Sequence, residues 1–233
     1  MNIVFCLPGR TYSNQFLLCW SKLLVYCLKN NINPIICNRT SSNVYYVRNM
    51  CLGGDVSRGI YQKPFKGKIN YDYIMWIDSD IAFTIKDFKN LLKHQKNIVS
   101  GLYLMNKGIR FATVKNWDKN FYKKNGYFKF LTYKDIKKHV KQNPNTLLEV
   151  EYTGFGWMLI KKGVFEKIEY PWFRPIWEEF GKNKNDDKIK EFTSEDVGWC
   201  QTVLKKGFKI YVDPNIIVGH EKVITYHPSM MSI

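Results

Sequence analysis

The segment Tyr73-Ile-Met-Trp-Ile-Asp-Ser-Asp80 constrains the fold of this chain more than any other. Its short uninterrupted apolar run has the length of a strand buried on both faces, and such a strand needs helices above and below it, which is an α/β architecture. The run stops at two carboxylates spaced i, i+2, and on a continuing strand such a pair points to one side. Asp78 and Asp80 are therefore candidate ligands for a divalent cation at the carboxyl edge of the sheet, where open α/β folds bind ligands. Apolar flanks, Trp76-Ile77 and Ile81-Ala-Phe83, bury the neighbouring chain and leave the acids at that edge.

The rest of the chain supplies the partners such a strand requires. Residues 3–7 read as a first strand that ends at Pro8-Gly9-Arg10. Ser13 is a candidate N-cap for a helix whose Phe16, Leu17, Trp20, Leu23, Leu24, Cys27 and Leu28 share one face. Residues 34–37 read as a second strand and 41–50 as a second helix, so that with residues 73–77 the N-terminal part is βαβαβ. A helix over 85–94 and a strand over 98–103 follow. Residues 116–143, rich in Lys, Tyr and Phe without a long apolar period, are expected to form an insertion or flap. Strand character resumes over 147–160 around Gly154-Phe-Gly156, and 163–168 read as a short helix. Residues 181–190 are expected to be a mobile loop, because crowded charge and little hydrophobicity cannot offset the entropy of ordering. A helix over 193–206 and strands over 208–212 and 216–218 then deliver Gly219-His220. There is no internal repeat.

At 233 residues the chain suits one domain. Nothing in it approaches the roughly 20 consecutive apolar residues of a membrane span, and its first residues lack the basic and apolar regions of a signal peptide, so a cytoplasmic location is the expectation. The cysteines, Cys6, Cys19, Cys27, Cys37, Cys51 and Cys200, form no C-x-x-C pair and read as reduced thiols rather than a zinc site or a disulfide framework. The net charge of +16 is carried almost wholly by lysine. Two readings of it stay open: compositional drift that favours solubility, or an anionic partner such as a nucleotide, a phosphorylated glycan or an anionic membrane touched peripherally by lysines.

Two further positions carry chemistry. Glu195-Asp196, after Thr193-Ser194, opens an apolar-periodic helix; acids in a first turn are favoured by the helix dipole alone, and the same pair is a candidate general base. His220, in Val218-Gly-His-Glu221, follows a late strand as Asp80 follows an early one, and a neutral imidazole would complete a carboxylate and nitrogen shell suited to Mn²⁺. His227 is a lesser alternative, and His94 and His139 lie in lysine-rich, surface-like sequence. A haloacid-dehalogenase-type phosphatase also uses D-x-D after an apolar strand, but with Thr or Val two residues after the second Asp, where this chain has Ala82.

Taken in order, Asp78-Ser-Asp80, Ser194-Glu-Asp196 and Gly219-His220 behind a βαβαβ half resemble a GT-A-fold glycosyltransferase of the family-2-like type. Val47-Arg48-Asn49, Val99-Ser-Gly-Leu-Tyr103, Gly154-Phe-Gly-Trp-Met-Leu-Ile160 and Val164-Phe-Glu-Lys167 agree, and the resemblance spans roughly residues 3–222 with 116–143 unmatched. It implies a three-layer Rossmann-like sandwich with a mostly parallel central sheet, a single catalytic domain over 1–233, with a nucleotide-sugar half (1–105) and an acceptor half (106–233). It implies Mn²⁺ or Mg²⁺ held by Asp78, Asp80 and His220, with Asp78 touching ribose or metal. Pro8, Gly9, Arg10, Arg48 and Ser79 would line the nucleotide site, with UDP the favoured nucleotide. Gly154 and Gly156 would let substrate approach the backbone, with Phe155, Trp157 or Trp199 stacking on a sugar unless, as is commoner for aromatics, they pack in the core. Asp196 would be the general base of an inverting hexosyl transfer, with Glu195 as fallback. The acceptor, a glycan, lipid-linked sugar, protein or nucleic acid, is expected near the lysine-rich insertion. The competing classes are a noncatalytic lectin-like or nucleic-acid-binding module, which needs no metal carboxylates, and a metal-dependent phosphohydrolase, which leaves Asp196 unused.

Overall fold

Strand burial on both faces is the organising fact of the computed structural model, which describes residues 1–105 and 108–223. The first half alternates β1 (Asn2–Pro8), α1 (Asn14–Lys29), β2 (Asn33–Arg39), α2 (Val44–Cys51) and β3 (Tyr73–Ile77), followed by the short β4 (Ile81–Ala82), α3 (Ile85–Lys93) and β5 (Ile98–Leu102). The second half contains β6 (Arg110–Val114), α4 (Lys119–Asn125), β7 (Phe130–Thr132), α5 (Tyr133–Gln142), β8 (Leu148–Val150), β9 (Tyr152–Thr153) and β10 (Trp157–Lys161). It closes with β11 (Trp177–Lys182), β12 (Lys188–Phe192), α6 (Glu195–Lys205), β13 (Ile210–Ile217) and β14 (Gly219–His220).

Seven strands form the central sheet in the order β2-β1-β3-β10-β5-β13-β8. Five run in one direction, and β10 and β8 oppose them. This is the mixed α/β, mostly parallel arrangement expected from the sequence. Alternation along β3 divides its side chains between two cores. Tyr73, Met75 and Ile77 join Phe16 and Leu23 of α1 and Phe88 and Leu91 of α3. Ile74 and Trp76 face the other way, toward Phe155, Phe165, Phe173 and Trp199 of α6. No helix among the described residues is long and apolar enough to cross a membrane, and all six cysteines are free.

Two segments differ from expectation. Residues 116–143 are α4, β7 and α5 rather than a featureless flap. Asp118 caps α4, a reciprocal Thr132–Asp135 capping box starts α5, and Trp117 stacks on Phe128 at 3.5 Å. Residues 181–190 are not a loose loop, because β11 and β12 pair antiparallel across them. Phe180 is buried and stacks on Tyr122 at 4.0 Å, while the Asn183 side chain closes the turn by accepting from the N–H groups of Asn185 and Asp187. The apolar anchor on β11 offsets the ordering entropy that the charged tip alone could not.

Candidate active site

The strand that presents the acidic pair stops at Ile77, and Asp78-Ser-Asp80 is a turn closed by the Ile81 N–H on the Asp78 carbonyl (3.2 Å). Pleat alternation therefore no longer applies, and the two carboxylates part company. Asp78 turns to Arg48, whose Nη2 donates to its Oδ2 at 3.1 Å. Asp80 turns to His220 Nε2 (3.1 Å) and Lys222 Nζ (2.7 Å). The expected three-ligand set of Asp78, Asp80 and His220 is thus not assembled. Among the described residues no group of three His, Cys, Asp or Glu side chains forms a metal-holding cluster.

Asp80 and His220 meet because β14 pairs with β4, setting His220 opposite Ile81, and the Glu221 N–H donates to the Asp80 carbonyl (2.7 Å). The Ser13 hydroxyl that caps α1 also donates to the Glu221 carboxylate, tying this edge to the first helix. Burial tends to raise Asp80, yet hydrogen bonds from His220 and Lys222 outweigh it and hold the carboxyl at about 2. His220 Nδ1 lies 2.5 Å from the Leu104 carbonyl. A carbonyl only accepts, so Nδ1 carries a hydrogen there, and Nε2 donates to Asp80 only when the ring is the imidazolium. Burial disfavours the imidazolium, but the hydrogen bonds to Asp80 and the Leu104 carbonyl outweigh it and raise the value. Asp80 Oδ2 and His220 Nε2, 3.1 Å apart, are an oxygen and an imidazole nitrogen of the kind Mn²⁺ or Mg²⁺ accepts, and would hold such a cation in place of the Lys222 ammonium that now bonds the same oxygen.

Arg48 joins the first acidic motif to the second. It is buried on α2, donates to Asp78 from Nη2 and to Glu195 from Nε (3.2 Å), and lies over the rings of Trp76, Phe155 and Phe173 at 5.2–5.9 Å. Burial opposes its charge, but the two carboxylates more than restore it. Glu195 is raised, first by burial and then by the charge of Asp196, with Arg48 pulling the other way. A buried carboxylate held by Arg48 is fixed rather than free to meet an acceptor.

Asp196 is placed differently. Its Oδ1 accepts from the Ser194 hydroxyl and from the Val197 N–H (2.8 Å), and its Oδ2 accepts from Tyr152 Oη (2.9 Å). Oδ1 thus meets a first-turn N–H, as suits an acid at a helix start, while Oδ2 keeps a lone pair for another partner.

At the end of β1, Gly9 has φ of +153° and lies against Ser79, whose Cβ would be 2.8 Å from any added Cβ. Pro8 is buried, and Arg10 is exposed. The Asn38 amide donates to the carbonyls of Leu7 (2.7 Å) and Gly9 (2.9 Å) and to Tyr12 Oη (2.7 Å), fixing this floor. Gly154 and Gly156 sit between β9 and β10, both buried, and their missing side chains make room for Tyr103. They do not provide the open approach for substrate that the motif suggested. Trp157, expected at the sugar, is fully buried with its ring 4.5 Å from Phe83, and Phe155 and Trp199 are likewise buried. His94 bonds Asp213 away from these groups (2.8 Å), and His227 lies outside the described residues. Sequence reasoning missed Asn38, Tyr12, Tyr152 and Lys222, and quoted Tyr103 in a motif without giving it a role. Only Lys222 carried a signal, as a cation two residues after His220.

No family model matches this chain, and no curated protein matches its sequence. Among solved structures it is similar to GalNAc-T7 with UDP, GalNAc and Mn²⁺, at 12% identity and a TM-score of 0.48, over 94% of this chain and 43% of that one. The chain thus spans less than half the length of that protein.

Proposed function

We propose that this chain is a metal-dependent glycosyltransferase that moves a hexosyl group from a nucleoside-diphosphate sugar, with UDP favoured, to an acceptor hydroxyl with inversion. The observation that carries this reading is the convergence on one sheet edge. Arg48 joins Asp78 to Glu195, the neighbour of Asp196, and two residues after Asp78 the Asp80 carboxylate meets His220.

Each group then has a task. The β1 end, with Pro8, Gly9 and Arg10 over the Asn38 and Tyr12 network, together with Ser79, accommodates the nucleotide. Asp80 and His220 hold the divalent cation, which when bound neutralises the charge that grows on the leaving nucleoside diphosphate. Arg48 fixes Asp78 and Glu195 and keeps the acidic pocket from repelling its own folding. Asp196 Oδ2, oriented by Tyr152, takes the proton from the acceptor hydroxyl as that oxygen bonds to the anomeric carbon and the sugar–phosphate bond breaks. Glu195, buried against Arg48, serves as a positioning group.

Asp196→Asn keeps the size and the Ser194 contact but cannot take a proton. Turnover of UDP-hexose, read as UDP release with water or a sugar acceptor, should fall by about 10²–10⁴, while UDP affinity stays near wild type. Full turnover in Asp196→Asn would remove Asp196 from the base role.

A further inference from the structure

The segment 55–68, directly after α2, holds apolar side chains in solvent on a well-bonded scaffold. Val56 is 83% exposed, Tyr61 81% and Ile60 47%. An unstructured loop could fold these residues away, but this one is held open. The buried Gln62 amide donates to the carbonyls of Asp55 and Gly59 and its oxygen accepts from the Asp55 N–H. Arg58 donates to the Gly53 carbonyl, the Tyr170 N–H donates to the Ile60 carbonyl, and the Asp55 side chain caps the turn at Ser57. Behind it, Phe65 is buried against Tyr71. Lys63, Lys66 and Lys68 stand exposed beside the apolar tip, and Asp55 is the lone acid among residues 55–68.

We infer that this loop docks the protein on the surface of an anionic lipid bilayer. Aliphatic side chains with a tyrosine at the tip and lysines around it match the interfacial region, where apolar groups enter the headgroup boundary and cations meet lipid phosphates. Lysine is depleted in protein–protein interface cores, so an apolar tip on a segment with three exposed lysines suits phospholipid better than a protein partner. The net charge of +16 works in the same direction. Docking through this loop requires no donor nucleotide, so it stands or falls apart from the transferase reading.

The test is co-sedimentation of the full chain with phosphatidylcholine vesicles and with vesicles that also contain phosphatidylglycerol. Binding should be confined to the anionic vesicles. It should weaken by about tenfold or more in Val56→Ser/Ile60→Ser/Tyr61→Ser and again in Lys63→Gln/Lys66→Gln/Lys68→Gln. All six positions are exposed, and unchanged thermal melting confirms that the variants fold. No binding to anionic vesicles would overturn the inference. So would binding that survives loss of the apolar tip, since general lysine attraction would then suffice, or a concentration-dependent dimer abolished by the same tip variant, which would assign the tip to a second copy.

Discussion

Replacing Arg48 with Met should destabilise the protein by about 3–5 kcal/mol, because it leaves two inward-facing carboxylates without their cation. Removing one partner of a buried pair costs more than the pair contributes, since the desolvated charge stays behind. Arg48→Lys should recover little, as one point cation cannot span Asp78 and Glu195 as the guanidinium fork does. Denaturant melts as a function of pH test the cause. Without Arg48 the Glu195 carboxyl loses its main downward influence, so its folded value rises further above the unfolded value of about 4.3. A carboxyl raised in the folded state makes stability fall as pH climbs from the unfolded value through the folded one. The deficit should therefore be smallest in acid and grow as pH rises through the folded Glu195 value, and Glu195→Gln added to Arg48→Met should restore part of it. A deficit independent of pH would mean that lost packing on Trp76, Phe155 and Phe173, rather than unpaired charge, sets the cost.

Gly154→Ala is expected to be nearly as damaging, at about 3 kcal/mol. An added Cβ would lie 1.9 Å from Tyr103 Oη, a separation that no side-chain adjustment of the buried tyrosine absorbs without displacing His220, whose ring packs edge-on against it at 5.1 Å. Tyr103→Phe removes the clashing oxygen and leaves Cζ as the nearest atom at 3.0 Å. The double variant should accordingly be more stable than the sum of the single changes predicts, by about 1 kcal/mol or more in a double-mutant cycle. Strict additivity would place the strain elsewhere.

Much of this was legible in the sequence because it depends on local pattern. The apolar run of β3, the helical spacing on α1 and the order of strands and helices in the first half follow from burial on two faces, and composition alone shows that burial. The resemblance already placed Asp80 with His220, but nothing in the sequence joined Arg48 to Asp78 and Glu195. Strand alternation assigned Asp78 and Asp80 to one side, and the turn after Ile77 overrode it. Gly154 and Gly156 announce a close approach, yet only the fold reveals that the approaching group is Tyr103. Tyr152, Asn38 and Tyr12 carry no local signal, since each matters through a long-range hydrogen bond. The 181–190 error has a similar source. Charge composition was weighed without Phe180, which anchors the hairpin from just outside the segment.

The central claim is that Asp80 and His220 hold a cation that in turn holds a nucleoside diphosphate. Among the described residues the Asp80 side chain bonds His220 and Lys222, at a half-exposed position, so Asp80→Ala should fold normally. Calorimetric titration of UDP and GDP into wild type with Mn²⁺, then with chelator, and into Asp80→Ala with Mn²⁺, tests the claim most directly. UDP binding should require both the metal and Asp80. Nucleotide binding indifferent to chelator and to Asp80→Ala, or no binding of either nucleotide, would contradict it.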